Sequence, residues 1–226
     1  GYDVIIADNL VNSSLDVLDG IEKITGIRPE FEEIDLTDGE VTRDFFARHS
    51  DIRAVIHFAA LKAVGESVNK PLEYYFNNLN SLMNVLTCMR EFKVPNLVFS
   101  SSCTVYGQAD VLPVTEKTPR HEAESPYGNT KVMSEDIIRD LMRVEPDMKA
   151  LALRYFNPIG AHPTAFIGEL PNGLPNNLIP YLTQTAIGIR EQLSVFGDDY
   201  NTPDGSPLRD YIDVVDLAQA HVVAIR

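Results

Sequence analysis

The 226-residue chain has no G-x-G-x-x-G, no H-x-x-x-H and no uninterrupted apolar run of 18 residues. The first absence removes the phosphate-gripping turn that usually follows the first strand of a dinucleotide fold. The second leaves the five histidines without a metal-ligand spacing, so no metal site is expected. The third excludes a helical membrane span, and no secretory leader is evident. Cysteine is scarce as well. Cys88 and Cys103 are too few for a disulfide framework or a thiolate metal site, which suits a reducing cytoplasm. Basic side chains are few, 19 against 33 acidic ones, for a net charge of −14. That balance excludes the broad phosphate-neutralising face nucleic acid requires. It leaves room for a small anion held by a few placed arginines and backbone N–H groups.

What is present is enough apolar sequence for a real core, 44% of residues, in a length that suits one large α/β domain or one and a half. Val4 to Ala7, Leu97 to Phe99 and Ala150 to Leu153 are short continuous apolar runs, and Ala54 to Phe58 reads as a buried run that includes His57. Phe31 to Leu36 is a more polar strand, and Leu193 to Phe196 a late short one closed by Gly197. Helical stretches lie between them. Pro71 opens one, with Leu82, Val85, Leu86 and Met89 at helical spacing. Ser125 and Pro126 open another, on which Met133, Ile137 and Leu141 are expected to face the sheet. A last helix runs from near Val214. Continuous apolar strands alternating with helices predict a doubly wound parallel sheet of Rossmann type. Residues 1–156 form this part. From 157 to 226 the texture turns to loops rich in proline, glycine and asparagine before the chain returns to the sheet, as in a substrate-binding region.

Asp8 and Asp35 close the first two strands. In a dinucleotide fold the ribose-binding acid closes the second strand, some 20 residues after the glycine turn. Asp8 fits that acid, so the first βα unit is missing and the chain reads as the interior of a longer protein.

Tyr127 and Lys131 stand four residues apart on one predicted helix, so they share a face. Ser102 lies just past the strand before them. An ammonium beside a phenol favours the phenolate and is expected to lower the tyrosine pKa from about 10 toward working pH. A serine hydroxyl can hold the substrate oxygen. The three together make a proton-transfer device for a carbinol or ketone, as hydride exchange with a nicotinamide requires. A Tyr and a Lys four apart also occur in ordinary helices, and strand-end serines often only cap backbone. The conjunction of all three is what points to chemistry.

The stretches Ser100 to Gly107, Tyr127 to Lys131, Arg154 to His162, Val55 to Ser67, Pro175 to Leu178 and Arg209 to Ile212 resemble the extended short-chain dehydrogenase/reductases, and within them the UDP-glucose 4-epimerase family. The likeness runs from Asp8 to Arg226. It implies bound NAD, a UDP-glucose or UDP-galactose substrate and a homodimer built on the Pro71 helix and the tyrosine helix. Tyr127 would exchange the proton of the sugar 4-hydroxyl, Ser102 would hydrogen-bond the same oxygen, and Lys131 would hold the nicotinamide ribose. By the same resemblance Asp8, Asn9, Asn12 and Ser13 take the adenosine ribose region, and Asp35 and Leu36 lie by the adenine. Phe58, Ala59, Lys62, Asn77 and Ser100 line the cofactor, and Tyr155 and Phe156 border the nicotinamide. Lys62, Asn157, Asn176, Asn177, Leu178, Ser194 and Phe196 contact the UDP-sugar, with Arg209 on its diphosphate. The chain departs from the family pattern at Ala60, Cys103 and Asp213 and in the Asn129-Thr130 pair, which is expected to matter little. Two other readings stand beside this one. One is a dehydratase or decarboxylase of the same superfamily; a dehydratase would need an acid pair near Ser102, and Cys103-Thr104 supplies none. An inactive UDP-sugar-binding protein would lack turnover.

Overall fold

The computed structural model describes residues 2–175 and 177–226, so Asn176 lies outside the described residues. The elements run β1 (Ile5–Asp8), α1 (Asp16–Thr25), β2 (Glu30–Glu33), α2 (Gly39–Arg48), β3 (Ala54–His57), α3 (Val64–Asn69), α4 (Pro71–Glu91), β4 (Asn96–Ser100), a 3₁₀ turn (Cys103–Tyr106), α5 (Pro126–Val144), β5 (Lys149–Leu153), β6 (Asn157–Ile159), α6 (Leu178–Ala186), β7 (Tyr211–Asp213) and α7 (Val214–Ile225). They fall into two compact units. The larger comprises Ile5–Asn9, Phe31–Tyr155 and Gln219–Arg226, and the smaller Gly1–Val4, Leu10–Glu30 and Phe156–Ala218.

In the larger unit β3, β4 and β5 form a parallel sheet in that order. Parallel neighbours cannot be joined by a hairpin, and the helices between them supply the crossovers. β1 and β2 pair as a separate two-stranded sheet. The central strand β4 is buried from Leu97 to Ser100, whereas β1 and most of β3 stay half-buried despite equally apolar sequences. An apolar strand is fully covered only when it has neighbours on both sides. This is an α/β fold on parallel strands.

Local chemistry fixes the helices that bear on the site. Asp38 caps α2 by accepting from the N–H groups of Glu40 and Val41. Ser125 caps α5 by accepting from the Gly128 N–H at 3.1 Å, with Pro126 preset at the first position. The core gathers Phe45 and Phe46 of α2, Leu82, Val85, Leu86 and Met89 of α4, Leu97 and Phe99 of β4, and Ile138 of α5. The face of α5 is turned from the expected one. Ile138 is buried, Ile137 and Leu141 only border the core, and Met133 is 38% exposed. The turned helix presents Lys131, Ser134 and Glu135 to the interior instead.

Two expectations for the smaller unit change. Leu193 to Phe196 is not a strand: Val195 and Phe196 are exposed, Phe196 at 99%, and a strand there would have neither a partner nor a cover. The loop-rich stretch also holds a short parallel pair, with Asn157 opposite Tyr211 and Ile159 opposite Asp213. Three-residue strands, one containing Pro158, carry no alternation that a sequence pattern could register.

His57, at the end of β3, is buried against Phe99 with ring centroids 6.1 Å apart. Burial, helped by the Lys131 charge, pushes its pKa down from 6.5 to about 3. The imidazole is therefore neutral in the folded state, while the unfolded chain takes up a proton below pH 6.5. This contribution to stability is present above pH 6.5 and is lost as the pH falls toward about 3. In chemical denaturation of the full-length protein, His57→Phe should lose less stability than wild type between pH 6.5 and 5, by up to about 2 kcal/mol. Equal losses in the two proteins would show that His57 does not contribute to acid sensitivity.

Candidate active site

The carboxyl ends of β3, β4 and β5 lie at one edge of the larger unit's sheet, and the start of α5 meets them there. β4 runs out through Ser100, Ser101 and Ser102. The Ser102 backbone is extended, and its hydroxyl accepts from the Thr104 N–H at 3.2 Å, capping the 3₁₀ turn. The same hydroxyl lies close enough to the Tyr127 phenol to favour its ionised form, so Ser102 both caps backbone and neighbours the phenol. Lys131 is only 5% exposed. Its Nζ donates to the Ser100 carbonyl at 2.7 Å and lies over the rings of Phe99 and Tyr127, 5.0 and 5.8 Å from their centroids. Tyr155, just past β5, shares a hydrogen bond with the Ser100 hydroxyl, and its carbonyl accepts from the Cys103 N–H at 3.1 Å. Ser102, Tyr127 and Lys131 thus come together at this edge, with Ser100 and Tyr155 beside them.

The electrostatics differ from expectation. Burial pushes the Tyr127 phenol up to about 12; the Ser102 hydroxyl pulls it down, and Tyr155 and Cys103 push it further up. Burial brings the Lys131 ammonium down to about 8. Lys131 does not acidify Tyr127 here, because the ammonium is turned to a backbone carbonyl and desolvation outweighs a charge poised over the ring.

The remaining expected residues of the larger unit are spread along strand ends. Asp8 and Asn9 follow β1, and the Asp8 carbonyl accepts from the Ile34 N–H. Asp35 is exposed and accepts from both the N–H and the hydroxyl of Thr37. The Leu36 carbonyl is held by Asn84 and Thr42. Phe58 is half-exposed with its ring 4.7 Å from that of His221, and Ala59 and Lys62 are exposed. The Asn77 amide donates to Asn78.

In the smaller unit Asn12 is exposed, Ser13 half-buried, and Phe156 half-buried. Asn157 donates to the Asp210 carbonyl through its side chain at 2.9 Å. Asn177 precedes α6 and donates to Glu169, and Leu178 opens the helix half-exposed. Arg209 donates to the Leu208 carbonyl and, like Ser194 and Phe196, is exposed. Asp213 accepts from the Val215 N–H at the start of α7.

Sequence reasoning missed several residues that hold the site. Buried Asn78 accepts from the Leu61 N–H and donates to the Leu61 carbonyl and to Thr130, whose hydroxyl donates to the Tyr127 carbonyl. Thr130, expected to matter little, is fully buried and ties the tyrosine turn to the segment before Lys62. Asn129 donates to the Tyr75 hydroxyl at 2.7 Å, adding a second tie between α4 and α5. A buried polar side chain on a helix face is the signal that could have found them.

Residues 1–226 match the family model described as the NAD dependent epimerase/dehydratase family. The chain is 52% identical to the UDP-glucose 4-epimerase of Schizosaccharomyces pombe, over its whole length and 64% of that protein. It is also 52% identical to the UDP-glucose 4-epimerase of Bacillus subtilis, covering 66% of it. It superposes on the UDP-glucose 4-epimerase of Bifidobacterium longum, solved in complex with NAD+ and UDP, with a TM-score of 0.96 and 48% identity, covering all of this chain and 67% of that one. The chain therefore spans about two-thirds of the length of such relatives, and it belongs to the NAD dependent epimerase/dehydratase family.

Proposed function

We propose that the protein carrying this chain interconverts UDP-glucose and UDP-galactose with bound NAD, residues 1–156 serving mainly the dinucleotide and residues 157–226 the UDP-sugar. The observation that carries this reading is the meeting of Ser102, Tyr127 and Lys131 at the carboxyl edge of a parallel sheet. Tyr127 exchanges the proton of the sugar 4-hydroxyl, and Ser102 hydrogen-bonds the same oxygen. Lys131 fits a nicotinamide ribose: an ammonium has three donors, the Ser100 carbonyl takes one, and two remain for hydroxyls in a buried setting. When bound, NAD supplies the hydride acceptor and donor, and its positive ring opposes the burial that holds Tyr127 protonated. Arg209 suits the diphosphate because its planar fork pairs with two oxygens. Asp8, Asn9, Asn12, Ser13, Asp35, Leu36, Phe58, Ala59, Lys62, Asn77, Ser100, Tyr155 and Phe156 are assigned to the cofactor. Asn157, Asn176, Asn177, Leu178, Ser194 and Phe196, with Lys62, are assigned to the sugar nucleotide.

Purified full-length protein should retain NAD and interconvert the two UDP-hexoses at constant absorbance in the reduced-nicotinamide band. A folded sample without cofactor and without turnover rejects the reading, and a 4-keto-6-deoxy product replaces it with a dehydratase. The cytoplasm is the proposed compartment.

We further propose a homodimer. Val64 and Val68 on α3, and Leu72 and Phe76 on α4, are exposed apolar pairs each spaced by one helical turn, a surface suited to meeting another helix. Sedimentation of the full-length protein should give twice the subunit mass, and a monomer at micromolar concentration contradicts the assignment.

A further inference from the structure

Beside the proton-transfer groups lies a part-buried ion pair with no part in the steps above, joining Glu135 on the same helix to Arg154 just past β5, with Arg120 Nη1 also 3.7 Å from the carboxylate. Glu135 follows Lys131 by four residues and Tyr127 by eight, so the three share one face of α5. Its carboxylate is 8% exposed. Arg154, at the end of β5, grips it with two parallel bonds, Nε to Oε1 at 2.8 Å and Nη2 to Oε2 at 2.6 Å. The pair reaches the serine turn at two points. The Ser101 hydroxyl donates to Glu135 Oε1 at 2.6 Å, and Arg154 Nη1 donates to the Tyr106 hydroxyl at 3.2 Å with the guanidinium over the Tyr106 ring. Ser101 is fully buried, and its own N–H donates to the Leu153 carbonyl.

Ser101 precedes Ser102, and Tyr106 ends the 3₁₀ turn that follows it. The segment bearing the catalytic hydroxyl is therefore fastened on both sides to one carboxylate–guanidinium unit, itself rooted in the tyrosine helix and in β5. A part-buried ion pair adds little net stability, because the cost of desolvating the carboxylate offsets much of the attraction. What it does supply is fixed geometry, since a forked arginine and a two-oxygen acceptor fit in one orientation.

We propose that the Glu135–Arg154 pair is a positioning device for proton transfer: through Ser101 and Tyr106 it sets the distance between the Ser102 hydroxyl and the Tyr127 phenol. This rests on the epimerase reading above. Glu135 and Arg154 act through the serine turn and touch neither the sugar nor the reacting atoms.

The test is Ser101→Ala in the full-length protein, which deletes one hydroxyl and leaves the ion pair intact. Turnover of UDP-galactose should fall about five- to tenfold, the scale of one well-placed hydrogen bond, with KM within about twofold of wild type. The ascending limb of the turnover–pH profile should move to higher pH. Ser102 is the group that pulls the Tyr127 pKa down, while Tyr155, Cys103, Lys131 and Tyr74 of α4, which also bear on the phenol, are untouched. Unchanged turnover overturns the proposal. So does reduced turnover with an unmoved pH limb, because that reports fewer active molecules and not a displaced hydroxyl. Tyr106→Phe cuts the second fastening without touching Ser101 and should displace the limb in the same direction. If Ser101→Ala does not fold, an unmoved limb in Tyr106→Phe is decisive against the proposal. Wild-type protein without turnover rejects the epimerase reading itself, whereas an active wild type matched by both variants rejects only the positioning role.

Discussion

Tyr127→Phe in the full-length protein is expected to lower interconversion of the UDP-hexoses by at least about a hundredfold, the usual scale of general acid–base help. The change removes one oxygen. The ring remains under the Lys131 ammonium, the Ser125 cap of α5 is untouched, and Thr130 still donates to the backbone carbonyl of residue 127. Binding of the sugar nucleotide should therefore persist, and the loss should fall on turnover. Steady-state rates together with a UDP-sugar titration separate the two. Near-normal turnover would remove the phenol from the chemistry, and a loss confined to KM would recast it as a binding group.

Lys131→Met should give a loss of the same order, again at least about a hundredfold, because the proposed ribose anchor beside the phenol disappears. The effect on stability has the opposite sign. Burial brings the lysine from 10.5 to about 8, so below pH 8 the folded protein holds a charge it would be more stable without. Between about pH 8 and 10.5 the unfolded chain binds the extra proton, so wild-type stability rises with pH across that window. Methionine fills similar space with no charge to desolvate. The Ser100 carbonyl loses a donor, at a cost of roughly 1–3 kcal/mol that the relieved desolvation offsets. Thermal unfolding of the inactive variant at pH 7 should therefore show a Tm equal to or above wild type. A Tm several degrees lower would mean that the ammonium is a structural member of the fold.

The strands of the larger unit were legible because parallel strands carry continuous apolar runs bounded by turn residues. β1, β3, β4 and β5 fall within a residue of their expected places. Ser102, Tyr127 and Lys131 were legible because helical spacing and a strand end are local properties of sequence. Glu135 with Arg154, and Asn78 with Leu61 and Thr130, were not, since each network joins elements 17 to 52 residues apart and no local pattern marks the partners. The direction of the Tyr127 shift was misjudged for a related reason. Spacing shows that a lysine is near, but only packing shows how much water both groups lose. In the smaller unit, Arg209, Ser194 and Phe196 lie exposed, so their assignments rest on family likeness and not on an assembled pocket.

The raised pKa of the buried phenol bears on which partner can act on it first. A hexose reaching Tyr127 ahead of the dinucleotide would meet a proton donor and not a proton acceptor. Removal of its proton would wait on a positive charge placed beside the phenol, since burial alone holds the group protonated.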